Sequence, residues 1–108
     1  MTTEADLKRR GILAELFAER VRQDAKWGAG RDYPDGTNPA WRRMADAARC
    51  DCDEAAESGE LDWLHIAKEE IFESFAETGP EKLRAELVQA AASIVAWIEG
   101  IDSRDGGA

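Results

Sequence analysis

Three glutamates and one glutamine carry the chemistry that this sequence can offer. Glu70 and Glu73 stand three residues apart, and after twelve intervening residues Glu86 and Gln89 repeat the spacing. A separation of three puts both members of a pair on the same side of a helix. Oxygen donors with no histidine among them select hard divalent cations, Mg²⁺ or Mn²⁺. Ions of that kind bridge phosphate oxygens and activate water.

The helices that carry these side chains set how they can meet. Between Ala85 and Ile98 the one charged residue is Glu86. At about 100° per residue it shares a face with Leu83, Ala90, Ile94 and Trp97. A carboxylate on an apolar face is costly unless a basic side chain, a hydrogen-bond network or a metal ion compensates it. Gln89 lies about one turn on and offers a carbonyl oxygen. On the preceding helix Glu70, Glu73 and Glu77 fall within about 60° of one another. The main apolar stripe there is Leu64, Ala67, Ile71 and Phe75, while Trp63 and Ile66 flank the glutamate side and Phe72 lies on a third. That helix is expected to be covered from more than one direction. If the two helices are antiparallel neighbours, Glu70, Glu73 and Glu86 converge, and a divalent cation relieves their repulsion. Two plainer readings stand beside this one. Glu70 and Glu73 would form a solvated helix face, and Glu86 would pair inside the core with Arg20.

Four helices are expected. The first runs from about Ala5 to Ala25, with Leu13, Leu16, Phe17 and Val21 at helical spacing and Gly11 as a weak point. Gly28 to Asn38, with Pro34 and Asp35-Gly36, reads as a loop. Asn38 caps the second helix, Pro39 takes its first position, and Trp41, Met44, Ala48, Cys52 and Ala55 lead to about Glu57 and a stop at Ser58-Gly59. Asp62 caps the third, which runs to Glu77 and stops at Gly79. Pro80 opens the fourth, expected over about Glu81 to Ile101. There is no strand pattern, internal repeat or low-complexity segment. The expected fold is all-α: a four-helix bundle protomer over residues 5–102, with flexible ends at 1–4 and 103–108. Short connections make neighbouring helices antiparallel. The last helix is apolar or small on nearly every side, which points to a homodimer or larger assembly, a homotetramer included.

With 108 residues there is room for one domain. A net charge of -9 argues against nucleic acid and against anionic membranes as partners, while permitting a divalent cation to link the protein to an anionic ligand. No apolar run approaches the roughly 20 residues of a membrane span. Met1 to Arg10 lacks the apolar core of a signal peptide, so a cytoplasmic location is expected. Cys50 and Cys52, two apart on a helix, diverge and are poorly placed for a disulfide. His65 is the sole histidine, which excludes a four-ligand Cys/His zinc site within one chain. It also excludes a di-iron bundle built on two Glu-x-x-His pairs. His65 itself reads as a surface or packing residue.

The order Glu69-Glu70-x-x-Glu73, then Glu86-x-x-Gln89, resembles the all-α nucleotide pyrophosphohydrolases of the MazG type, whose pattern is Glu-x-x-Glu followed by Glu-x-x-Asp. Glu19-Arg20-x-Arg22-Gln23-x-x-Lys26-Trp27-Gly28 is similar to the opening of small MazG-like proteins, and the run Glu86 to Glu99 to their ending. The resemblance spans roughly Leu13 to Ile101. It implies hydrolysis of a nucleoside triphosphate to the monophosphate and pyrophosphate with Mg²⁺, in dimers or tetramers whose subunits complete each other's pockets. Carried over, Glu70, Glu73 and Glu86 would be catalytic metal ligands with Gln89 as a fourth donor. Arg20, Arg22 and Lys26 would neutralise phosphate charge. Trp27 would stack on the base, or else pack at its helix end. Gln89 departs from the family's Asp and removes one negative charge from the metal site. The competing expectation is a catalytically silent helical dimer used for interaction or nucleotide sensing.

Overall fold

Local side-chain chemistry defines where each helix begins and ends. The structure, a computed structural model, describes residues 1–106. Thr3 caps α1 (Glu4–Trp27): its hydroxyl accepts from the Asp6 amide, and the Asp6 carboxylate accepts in return from the Thr3 amide. Glu4 and Asp6 at its start and Lys26 at its end complement the helix dipole. Asn38 caps a short 3₁₀ turn, Pro39–Trp41, accepting from the Ala40 amide at 2.8 Å. That turn leads into α2 (Arg42–Ser58), so the proline opens the 3₁₀ turn and the α-helix starts after Trp41.

Gly59 closes α2 in a left-handed conformation, φ +75°, and its amide bonds back to the Ala55 and Ala56 carbonyls. Asp62 caps α3 (Trp63–Phe75), accepting from the His65 amide at 2.8 Å. The helix stops at Phe75 and not at Glu77, because Ser74 and Glu77 close a tighter last turn. α4 (Pro80–Gly106) opens on proline as expected and continues past Ile101. Of the expected tail, residues 103–106 are helical, and residues 107 and 108 lie outside the described residues.

Among the described residues there is no strand, and the protomer is all-α with four helices. No helix is long and apolar enough to cross a membrane. The chain divides into two compact units. One comprises residues 1–34 with 95–108, and the other residues 35–94. In the first, α1 meets the last part of α4, where Arg9 bonds Glu99 at 3.2 Å and Ile12 is buried. Leu13, Leu16, Phe17 and Val21 form a stripe on α1 that stays exposed, Phe17 by 73%.

The second unit holds the 3₁₀ turn, α2, α3 and the start of α4. Its buried residues on α2 and α3 are small, Ala45, Ala48, Cys52 and Ala55 on the first and Ala67 and Ser74 on the second, and Ala76, Leu83 and Ala90 are buried beyond them. Ser74 is 1% exposed and donates its hydroxyl to the Glu70 carbonyl at 3.1 Å. Met44 and Leu64, expected on inward stripes, are exposed. Trp41, Phe72 and Phe75 cluster with ring centroids 5.0–5.9 Å apart. The Asn38 amide donates to the Phe75 carbonyl at 2.9 Å, tying the cap of the 3₁₀ turn to the end of α3. α2 and α3 run antiparallel. Arg42 reaches Glu73 and Glu77, Arg49 reaches Glu69 and Glu73, and the Cys52 thiol reaches the His65 carbonyl at 3.1 Å.

Candidate functional site

The acidic residues sit in the second unit, on α3 and the start of α4. Their environments differ. Glu70 and Glu86 are half-buried, and within that unit neither has a basic partner. Burial pushes the Glu70 carboxyl above its ordinary value, and the negative charges of Glu69, Glu86 and Glu73 push the same way. The charge of Glu86, at the start of α4, is thus felt at Glu70 on α3.

Glu73 is different. Its side chain is 15% exposed, and it accepts from Arg42 Nη1 at 2.7 Å and from Arg49 Nη2. Burial works to raise this carboxyl, yet the hydrogen bonds from Arg42 and Arg49 outweigh it and hold Glu73 below its ordinary value. The same bonds raise both arginines. Arg42 also reaches Glu77 at 3.4 Å, and Arg49 lies 3.9 Å from Glu69 and 3.8 Å from Asp46. Gln89, one turn beyond Glu86, is exposed.

The donor set therefore fits a hard cation in part. Glu70 lies among carboxylate charges without a basic partner, which suits a divalent ion. Glu73 already has its charge compensated by two guanidinium groups. Among the described residues, no three acidic, histidine or cysteine side chains are close enough together to hold a metal ion.

The residues expected to meet a substrate belong to the first unit, on the last turns of α1. Arg20 bonds Gln23 at 2.9 Å and Asp24 at 3.2 Å, and Arg22 bonds Glu19 at 2.8 Å. Lys26 lies 4.9 Å from the Trp27 ring centre, and Trp27 is 60% exposed. These pairs are local to one helix and leave the cationic groups and the indole accessible. A separate open recess in the first unit is lined by Glu4, Lys8, Gly11, Glu15, Glu99 and Asp102 and contains none of the candidate residues.

Reading the sequence for acidic pairs missed Arg42 and Arg49. Their signal is nonetheless there. Spaced seven apart, they share a face of α2, and Glu69 and Glu73 on α3, with Glu77 just past its end, recur at four-residue spacing. Two helices joined by a short connection align such rows in reverse order. Neither cysteine belongs to the acidic site. Cys50 is exposed and free, while burial, followed by the nearby Glu69 carboxylate, pushes the Cys52 thiol up to about 12.

No protein-family model, no curated protein and no solved structure matches the chain.

Proposed function

We propose that this protein is a Mg²⁺-dependent nucleoside triphosphate pyrophosphohydrolase of MazG-like type, cleaving a nucleoside triphosphate to the monophosphate and pyrophosphate in the housekeeping of nucleotide pools. The observation that carries the reading is the crowding of Glu70 by Glu86, Glu73 and Glu69 with no basic group facing Glu70 or Glu86 within the unit. Such an arrangement costs free energy in the absence of a cation and is relieved by one. The resemblance of the two acidic pairs and of Glu19 to Gly28 to the MazG pattern supports it.

Glu70 and Glu86 would hold the ion, with Glu73 and the Gln89 carbonyl as further donors. A divalent cation, when bound, neutralises phosphate charge and activates water. The residues of the chain do the remaining work. A glutamate left free of the ion, Glu69, takes a proton as general base. Arg20, Arg22 and Lys26 offer charge to the phosphates, and exposed Trp27 offers a stacking face to the base. The uncovered apolar stripe of α1, together with exposed Leu87 and Val88 on α4, fits a homodimer or homotetramer in which a second copy buries them. Such a protein would work in the cytoplasm, where its substrates are.

A second reading, a catalytically silent helical module for interaction or nucleotide sensing, is favoured by one observation. The position that the resemblance expects to be acidic is the neutral, exposed Gln89. Incubation of pure protein with each nucleoside triphosphate and Mg²⁺, followed by a pyrophosphate assay, separates the two. Release with at least one nucleotide, abolished in Glu70→Gln and Glu86→Gln, supports the enzyme. Silence from the wild type with every nucleotide, under conditions where Gln89→Asp is active, supports the module.

A further inference from the structure

We propose that Trp41, Phe75 and Asp35 form a binding site for the quaternary ammonium group of a small molecule of the choline type. The site shares no residue with the proposed hydrolysis and stands apart from it.

The recess comes from the way one loop meets the end of α3. Asp35, Gly36 and Thr37 lead into the 3₁₀ turn, and the Asn38 amide fastens that segment to the Phe75 carbonyl at 2.9 Å. Gly36 takes the left-handed conformation there, φ +74°. The result is an open recess of about 180 Å³ within the second unit, lined by Asp35, Gly36, Thr37, Trp41 and Phe75.

The lining has a definite chemistry. The Trp41 and Phe75 rings are inclined at 67° with centroids 5.0 Å apart, so they make a corner and not a stack. Phe72 braces both, 5.5 Å from Trp41 and 5.9 Å from Phe75. A ring face is the negative end of its quadrupole, and two inclined faces attract a cation placed between them. The same aromatic cluster already receives one, since the Lys68 ammonium lies 5.7 Å from the Phe72 ring centre. No basic side chain lines the recess, whereas Asp35 brings a carboxylate to it. Asp35 is exposed and has no ion pair among the described residues. Arg42, next in sequence to Trp41, is engaged by Glu73 and Glu77 at 2.7 and 3.4 Å.

These features select among cations. A primary ammonium is compact and strongly hydrated, and two rings with one carboxylate do not replace its water. A quaternary ammonium lays apolar methyl groups on the rings and keeps its charge for Asp35. A neutral group of the same shape satisfies the rings and gives the carboxylate nothing. Five lining residues read one headgroup and no flanking chain, so the occupant is a free small molecule.

NMR titration of nitrogen-labelled protein tests the site, followed at the Trp41 indole and at the Gly36 and Thr37 amides. Choline should shift these signals saturably, and 3,3-dimethyl-1-butanol, the uncharged molecule of the same shape, should bind about tenfold more weakly. Asp35→Asn should weaken choline about tenfold while leaving the alcohol unchanged. Glu54→Gln removes an equal charge from an exposed position of α2 with no ion pair among the described residues, and should change choline binding by no more than about twofold. Phe75→Leu keeps an apolar side chain but loses a ring face, and should also weaken choline about tenfold.

Asp35→Asn lies in an exposed loop and keeps the test decisive if Phe75→Leu loses helical circular dichroism. Choline that binds no better than the alcohol overturns the inference, because the recess is then merely apolar. So does an Asp35→Asn variant that matches Glu54→Gln, or a set of shifts centred away from Trp41. Tenfold tighter binding of an N-acetyl trimethyl-lysine amide than of choline would assign the recess to a modified protein and overturn the small-molecule occupant.

Discussion

The Arg42 guanidinium donates to the Glu73 carboxylate at 2.7 Å across the α2–α3 contact, and Arg49 donates to the same carboxylate from two helical turns further along. A side chain expected to hold a cation is thus held by cations that the chain itself supplies. Glu70, on the same helix, sits among carboxylates with no such partner. The contrast between these neighbours leads to measurements of opposite sign.

Glu73→Gln should destabilise the protein by about 1 kcal/mol at neutral pH, since charge-assisted bonds are lost but the arginines stay hydrated. The Glu73 carboxyl is depressed in the fold, so its contribution is present above the ordinary carboxylate value and fades as pH falls through the lower folded value. Urea melts of wild type and variant should therefore converge in acid. A gap that widens there would refute the assignment.

Glu70→Gln should do the reverse. An acid raised by burial and by neighbouring carboxylates binds its proton more tightly when folded, so stability falls as pH climbs through the ordinary value toward the folded one. Removing the charge should stabilise the protein above that window and make no difference well below it. Mg²⁺ should raise the melting temperature of the wild type more than that of this variant, as followed by circular dichroism.

The two thiols should differ in reactivity. Cys50 is exposed, whereas Cys52 is buried, donates to the His65 carbonyl at 3.1 Å and is pushed up to about 12. At about pH 8 the thiolate is the reactive form, so iodoacetamide should label Cys50 alone in the native protein and both residues in denaturant. Mass spectrometry of the digested protein reads the site directly.

Gly59→Ala should cost about 1–2 kcal/mol, because its φ of +75° lies in the left-handed region that a β-carbon disfavours. No atom lies within 4 Å of an added Cβ, so the penalty is conformational and not steric. Gly11→Ala, inside α1 with equally open surroundings, should instead stabilise by about 0.5–1 kcal/mol. Equal shifts in the two denaturation midpoints would count against this account.

The apolar stripe of α1 gives a test of assembly. If a second copy covers Phe17 and its neighbours, the melting temperature rises with protein concentration, and Phe17→Ser abolishes the dependence. Light scattering that reports a monomer at micromolar concentration for the wild type would sink the oligomer and the shared pocket together.

Helix boundaries were legible where a single side chain makes them. Asn38, Asp62, Gly59 and Pro80 act on their own backbone or that of the next turn, so local order suffices to place them. The end of α3 was not, because Glu77 carries no strong breaker and the helix is closed there by a tighter backbone bond to Ser74. The small buried face of α2 was legible in Ala48, Cys52 and Ala55, but Met44 and Leu64 were not separable from core residues by spacing alone.

The acidic helices could be read from periodicity, and the charge of Glu86 is felt at Glu70 across a short connection. What escaped was the counter-charge. Sequence spacing pointed to Arg20 as the basic residue for an inner glutamate, yet Arg20 is engaged with Gln23 and Asp24 on its own helix. The arginines that matter act on Glu73 from across a helix pair, over 24 and 31 residues of chain. A pairing of that range depends on the rotation of both helices about their axes, which the order of residues does not state.

The alanines and the serine between α2 and α3 have a further consequence. With so little bulk at Ala45, Ala48, Ala55, Ala67 and Ser74, these residues work as a gauge block that fixes how far a guanidinium must stretch to touch Glu73. A methyl or two added there would wedge the helices apart and unfasten the arginines without altering any charged residue, so the tuning of this acidic cluster is written partly in residues that have no charge at all.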